Sequence, residues 1–258
     1  MGEMSAVLAI ARVTALEAVR GRFAWLVVGF AAAGCGLAMF AVEIAITGTE
    51  GYRSGLLGAW LRWWAVFATG AFAVSSVVGD AHDKGLDLML ATSMPRSAYC
   101  AGKLAGFGAV ALFPAVAGAL ALAWFAPLPQ VALWTVSLAL ELCIVTAASL
   151  LCAFTFAHLA WAMSMVLGFY VLSRSMTALQ LIAHAPGTDS GSAAWPFIRG
   201  FIDALAYLLP DLDRFTQSQW LIHGTGTLAE LGFAAAQTAV YLALLGAAAA
   251  FDLHRKVL

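Results

Sequence analysis

The chain has 258 residues, of which 63% are hydrophobic and 10% are charged, and its formal net charge is −1. Soluble domains carry about 45–50% apolar and about 25% charged residues, so this composition excludes a soluble enzyme, a disordered chain and a basic nucleic-acid-binding protein. Since a membrane-spanning helix needs about 20 apolar residues, the length accommodates six or seven spans and no large soluble domain.

The N-terminal part of the chain predicts a surface helix followed by two membrane spans. Between residues 8 and 19 apolar side chains recur at helical spacing beside several arginines, which is typical of an amphipathic helix on a membrane surface. An uncharged run predicts the first span over residues 24–42. The second span is predicted over 60–79, where neighbouring tryptophans mark an interface and Arg62 can extend its charge toward the headgroups.

Four further spans follow from the remaining apolar runs. Residues 104–140 carry no charge, and a single helix of that length would be about 55 Å long, far more than the ~30 Å hydrocarbon core. We therefore predict a hairpin at Pro127 and Pro129, with spans over 104–126 and 131–153. The last two spans are predicted over 158–181 and 231–251. The predicted fold is an all-α membrane protein with one transmembrane domain over residues 1–258.

Two of the connecting segments are long enough to contain further helices. Residues 80–103 separate spans two and three, and residues 182–230 separate spans five and six. The longer segment has an apolar face at helical spacing between Phe197 and Leu209, stopped by Pro210, which predicts an interfacial helix. Both termini and the 80–103 segment fall on the side that holds eight of the 13 Lys and Arg residues, so we expect that side to be cytoplasmic.

Two charges inside predicted spans are the first candidate functional residues. Glu141 falls near the middle of span four and Arg174 in the outer half of span five. A charged side chain at the bilayer centre costs roughly 2.5–3.5 kcal/mol on insertion scales, so such residues are paired structurally or line a pathway. The sequence leaves both roles open for these two residues.

Motifs for catalysis, metal binding and nucleotide binding are missing from the sequence. The chain has no C-x-x-C and no H-E-x-x-H pattern, so we predict no metal site. Gly102 and Lys103 are followed by Leu104 where a phosphate-binding loop needs Ser or Thr. We therefore predict that the chain is not an enzyme and that any ATP it depends on is bound elsewhere.

The segment between spans two and three carries a resemblance to a known family. It combines an acidic and basic cluster over 80–84, the run Leu-Asp-Leu-Met-Leu-Ala over 86–91, Pro95 with Arg96, and a Gly-Lys pair that enters span three. This pattern resembles the cytoplasmic loop of type-2 ABC exporter permeases, the NosY-like permeases in particular. The outer segment 207–215 is similar to a segment before the last span in that group. The chain departs from the pattern at Gly85-Leu86 and in the position of its proline.

The resemblance implies a permease domain whose cytoplasmic loop forms a coupling helix for a separate ATPase. The residues it assigns to that contact are Asp83, Lys84, Asp87, Leu88, Met89, Pro95 and Arg96. It implies no cofactor in this chain, with ATP and Mg²⁺ bound by the partner ABC ATPase subunit. The other implied partners are a second copy or a paralogous permease, the lipid bilayer and an extracytoplasmic accessory protein, with no nucleic acid.

The predicted function is therefore the membrane-spanning subunit of an ABC-type exporter in a bacterial inner membrane, with both termini in the cytoplasm. Two alternatives from other classes stay open: a polytopic assembly or anchoring protein that transports nothing, and a secondary transporter. The secondary transporter is disfavoured by the few intramembrane charges and by the missing pairs of Gly- or Pro-broken spans. The sequence does not name the substrate.

Overall fold

A computed structural model describes residues 3–44, 49–82, 96–156, 158–185 and 195–255, and all regular structure within them is helical. The helices are α1 (Glu3–Arg20), α2 (Arg22–Ile44), α3 (Thr49–His82), α4 (Arg96–Leu122), α5 (Leu128–Thr155), α6 (Leu159–Ala183), α7 (Trp195–Leu208), α8 (Ser218–His223) and α9 (Leu228–Arg255). A short 3₁₀ turn covers Leu212–Arg214. Six of these helices, α2 to α6 and α9, are long and apolar enough to cross a membrane. The prediction of an all-helical, multi-pass chain is confirmed at this level.

The helices differ in length from the apolar runs that predicted the spans. The structure starts α3 at Thr49, well before residue 60, and α4 at Arg96, before residue 104. It also ends α4 at Leu122, short of residue 126. A helix continues wherever its backbone hydrogen bonds continue, whereas an apolar run marks only the part that faces hydrocarbon. The predicted coupling helix falls on residues 83–95, outside the described residues.

The turn between α4 and α5 is built on Pro127. Its carbonyl oxygen accepts hydrogen bonds at 3.0 Å from the backbone N–H groups of Gln130 and Val131. A proline lies in the first turn of α5, where a missing N–H costs no hydrogen bond. The chain therefore reverses direction within a few residues and sets α4 and α5 side by side.

Helix α5 forms the centre of the bundle, in contact with α3, α4, α6, α8 and α9. Its Trp134, Leu138, Leu142 and Leu150 are completely buried. The outer helices α2, α6 and α9 bury a much smaller share of their apolar surface and present large side chains outward, such as Phe40, Val171 and Phe233. Apolar residues that face outward all along three long helices indicate a multi-pass membrane protein.

Helix α1 packs closely along the first half of α4. Two glycines four residues apart on α4 allow this approach: a Cβ added at Gly102 would lie 2.8 Å from Ile10 Cβ, and one at Gly106 would lie 2.8 Å from Thr14 Cβ. Small residues at this spacing let two helix backbones approach within membranes. The face opposite this contact exposes large apolar side chains such as Leu8 and Val19.

Candidate functional site

The segment after α7 returns into the helix bundle instead of staying at its edge. Leu212, Phe215 and Thr216 are completely buried. Thr216 has φ of 43°, a left-handed conformation that is a true outlier for a β-branched residue. Its N–H donates to Ser137 Oγ of α5 at 3.0 Å. Non-helical backbone at this depth is stable only where the protein itself satisfies it, and here the helices around it do so.

Glu141 of α5 lies at the centre of a polar cluster at this end of the bundle and is 0% exposed. Its Oε1 accepts hydrogen bonds from Tyr170 Oη and from Arg174 Nη1, both at 3.0 Å. Its Oε2 accepts one from the Thr216 hydroxyl. Both carboxylate oxygens are therefore engaged by donors of the protein, which offsets the cost of burying the charge. The structure brings the two in-span charges of the sequence analysis into one ion pair.

Two guanidinium groups hold the backbone of the returning segment. Arg174 of α6 donates from Nη1 to Leu212 O at 2.9 Å and from Nη2 to Phe215 O at 3.3 Å. Arg62 of α3 is 9% exposed and donates from Nη1 to Thr216 O at 3.2 Å. Because the fork of an arginine presents several donors in a fixed plane, each can hold the segment to its own helix. We define Arg62, Glu141, Tyr170, Arg174 and Thr216 as the outer cluster.

Arg62, Tyr170 and Thr216 were not predicted as members of this cluster. Arg62 is not at a span end reaching toward headgroups; it lies buried inside the bundle, because α3 extends beyond its apolar run and the returning segment covers it. Tyr170 precedes Arg174 by four residues, the spacing that places two side chains on one helix face. That spacing was the available sequence evidence for Tyr170. Thr216 carries no such pattern, and only the fold reveals it.

A second polar cluster lies at the opposite end of the bundle, where α1, α3 and α4 meet. Lys103 is almost fully buried and its Nζ lies 2.7 Å from Asp80 Oδ2 and donates to Ser76 Oγ at 2.9 Å. Tyr99 Oη also donates to Asp80 Oδ2, at 2.8 Å. Ser76 Oγ in turn donates to Glu17 Oε2 at 3.1 Å. We call these five residues the basal cluster; the Lys103 ammonium group joins α4 to α3, and the Ser76 hydroxyl joins α3 to α1.

The basal cluster borders the segment for which coupling residues were predicted. Asp83, Lys84, Asp87, Leu88, Met89 and Pro95 lie outside the described residues, and Arg96 is the first residue of α4. Asp80 and Lys103 are close to the two ends of that segment, on α3 and α4. Their ion pair joins α3, which precedes that segment, to α4, which follows it. Within the described part of the chain, no group of three or more His, Cys, Asp or Glu residues could hold a metal ion.

Comparison with protein-family models finds none that matches this chain, and comparison with curated proteins finds no match either.

Proposed function

We propose that this chain is the membrane-spanning permease subunit of an ABC-type exporter that uses ATP hydrolysed by a separate subunit. The observation that carries the proposal is the basal cluster, which joins α3 and α4, the helices before and after the 83–95 segment, to each other and to α1. It is supported by the sequence pattern of residues 80–103, which resembles the ATPase-docking loop of type-2 exporter permeases.

The basal cluster suits the transmission of a movement from a docked partner. A force applied to the 83–95 segment reaches α3 and α4 together, because an ion pair joins the two helices. In this pair Lys103 Nζ lies 2.7 Å from Asp80 Oδ2. Helix α1 follows, since Glu17 bonds to Ser76 and α1 is packed on the glycine face of α4. Rigid-body movement of packed elements is one established way in which such transitions spread. In our proposal ATP-driven closure of the ATPase moves these three helices as one unit.

The outer cluster has a different role in this proposal. It fastens α3, α5 and α6 to the returning segment through charge-assisted hydrogen bonds. Glu141 is completely buried and accepts three hydrogen bonds from the protein, so its carboxylate is not presented to a passing substrate. We therefore propose that Glu141 and Arg174 form a structural ion pair. It keeps the helices closed together at the outer end of the bundle while the basal end moves.

The remaining parts of the proposal concern the membrane and the assembly. The side of the bundle with the basal cluster faces the cytoplasm of a bacterial cell, with both termini on that side. Helix α1 lies on the inner membrane surface, and α7 lies at the outer surface, where its exposed Phe197, Phe201 and Tyr207 contact the interface. The active assembly contains two permease chains and two ATPase chains, and ATP with Mg²⁺ binds in the latter.

The docking step is tested by a triple variant, Asp87→Lys with Leu88→Ala and Met89→Ala. We expect it to insert into the membrane at wild-type abundance, because the spans are unchanged, and to lose copurification of the ATPase from native membranes. Each apolar truncation should weaken the contact by about 1–3 kcal/mol if those side chains are buried in a groove of the partner.

The matched control removes apolar side chains at the opposite end of the bundle, Phe197→Ala with Phe201→Ala on α7, and should keep the ATPase bound. Wild-type copurification by the triple variant would show that the 83–95 segment is only a connector. A wild-type chain that brings down no ATPase at all refutes the exporter proposal and favours the assembly or anchoring alternative.

A further inference from the structure

A wide apolar groove runs between α2, α3 and the first turns of α6. It has a volume of about 640 Å³, and its walls include Phe23 and Phe30 of α2, Trp64 and Ala71 of α3, and Met163 of α6. Phe30 and Trp64 stack with ring centroids 3.6 Å apart and form a flat wall. Because α2 and α6 are peripheral helices, the groove opens on the apolar outer face of the bundle.

One end of this groove is basic. Arg20 ends α1, Arg22 begins α2, and both side chains are exposed immediately before the groove residue Phe23. Within the described residues neither arginine forms an ion pair. Glu17 lies three residues before Arg20, and its carboxylate accepts a hydrogen bond from the neutral hydroxyl of Ser76, while Asp80 is paired with Lys103. Two exposed guanidinium groups therefore lie next to the groove residue Phe23, and with the single carboxylate of Glu17 they leave a net positive charge there.

We propose that this groove and its two arginines form a binding site for one anionic phospholipid. An acyl chain lies between the aromatic walls, and the phosphate lies against Arg20 and Arg22. Guanidinium groups bind phosphate oxygens in a bidentate manner, and basic residues next to a membrane span attract anionic headgroups. Apolar walls with a cationic end match the two parts of such a lipid, and this site does not depend on the proposed transport function.

A second copy of the chain suits this groove less well than a lipid. Two-fold symmetric contact through the same surface on both copies would place the groove of one against the groove of the other at equal membrane depth. Arg20 and Arg22 of each copy would then face those of its partner. Like charges brought together near a low-dielectric medium repel strongly, whereas a lipid phosphate neutralises them.

Native mass spectrometry of the detergent-purified chain with added lipid tests the site. Dioleoyl phosphatidylglycerol should bind as one lipid per chain in preference to dioleoyl phosphatidylcholine, which has the same acyl chains and no net charge. In the double variant Arg20→Gln/Arg22→Gln we expect affinity for the anionic lipid to fall by about 10- to 30-fold, to the level of the neutral lipid. Arg12→Gln is the matched control, an exposed arginine of the same helix that lies about two turns before Arg20, and it should leave binding unchanged.

The acyl-chain part of the site is tested by filling the groove with Ala71→Phe. This change should weaken both lipids while the arginines are intact. Inorganic phosphate in excess should not displace the lipid, and displacement would show a phosphate site without a chain. Equal affinity of the double variant and wild type for phosphatidylglycerol would overturn the proposal. Loss of a dimer in Ala71→Phe, with lipid binding unchanged, would also overturn it and assign the groove to a second copy.

Discussion

Replacing Glu141 by leucine removes the carboxylate that accepts hydrogen bonds from Tyr170, Arg174 and Thr216 in the outer cluster. The leucine restores apolar volume but accepts nothing, so the hydroxyl of Tyr170 and one donor of Arg174 lose their partner. The Arg174 side chain is only 14% exposed, so water replaces the carboxylate there only in part. The change therefore leaves a buried positive charge without its counter-charge.

The expected loss of stability follows from the contacts that remain. Removing one partner of a buried ion pair costs about 3–5 kcal/mol. Arg174 keeps its hydrogen bonds to the carbonyl oxygens of Leu212 and Phe215, which moves the expected loss to the lower half of that range, about 3–4 kcal/mol. Glu141→Gln keeps the shape and one acceptor, so it should cost less, about 1–3 kcal/mol.

Equilibrium unfolding in mixed micelles, followed by tryptophan fluorescence, measures these losses. The chain has nine tryptophans, and one of them reports on the cluster directly, since Trp63 contacts the Tyr170 ring at a centroid distance of 5.3 Å. A double-mutant cycle with Arg174→Leu isolates the pair, and we expect an interaction energy of about 1–3 kcal/mol. An interaction energy near zero, or a Glu141→Leu variant as stable as wild type, would refute the structural role assigned to this ion pair.

Two further predictions concern the helix contact of α1 and the topology of the chain. Gly106→Ala should destabilise the protein by about 1–3 kcal/mol, because the added Cβ would lie 2.8 Å from Thr14 Cβ and 3.2 Å from backbone atoms of Ala11. The control Gly108→Ala should be neutral or stabilising, because the atom nearest to its added Cβ is 4.0 Å away. Thermal unfolding compares the two variants, and equal stability would contradict the close packing. In a background without native cysteines, a cysteine at exposed Thr225 should react with a membrane-impermeant maleimide in intact cells, and one at exposed Arg12 should react only after permeabilisation. The reverse pattern would invert the proposed orientation.

The number of long apolar helices could be predicted from the sequence because bilayer thickness imposes the length of an apolar run. The ends of the helices could not, since backbone hydrogen bonding carries α3 and α4 beyond those runs. The pattern of two glycines four residues apart was visible at Gly102 and Gly106, but nothing in it identifies α1 as the helix that packs there. That contact depends on the path of the chain in three dimensions.

In the candidate site too, some residues could be identified from the sequence and others only from the fold. Glu141 and Arg174 could be singled out because a charge inside an apolar run is costly and needs a partner. Their pairing joins residues 33 positions apart, and Arg62 bonds to a residue 154 positions away. No local pattern encodes separations of that size. Thr216 was invisible for a further reason, since its role rests on a left-handed backbone conformation and a buried carbonyl group.

The position of the returning segment late in the chain imposes an order on biogenesis. The ribosome makes Arg62, Glu141 and Arg174 before it makes residues 212–216, whose carbonyl and hydroxyl groups complete their hydrogen bonds. Glu141 and Arg174 can pair with each other at that stage, but Arg62 enters the bilayer before the carbonyl group of Thr216 that it binds, at a cost of roughly 2.5–3.5 kcal/mol for an unpaired arginine. Nascent chains that stop short of Leu212 leave Arg62 without its carbonyl partner, so the arrival of this short stretch completes the outer cluster before the last long helix, α9, is made.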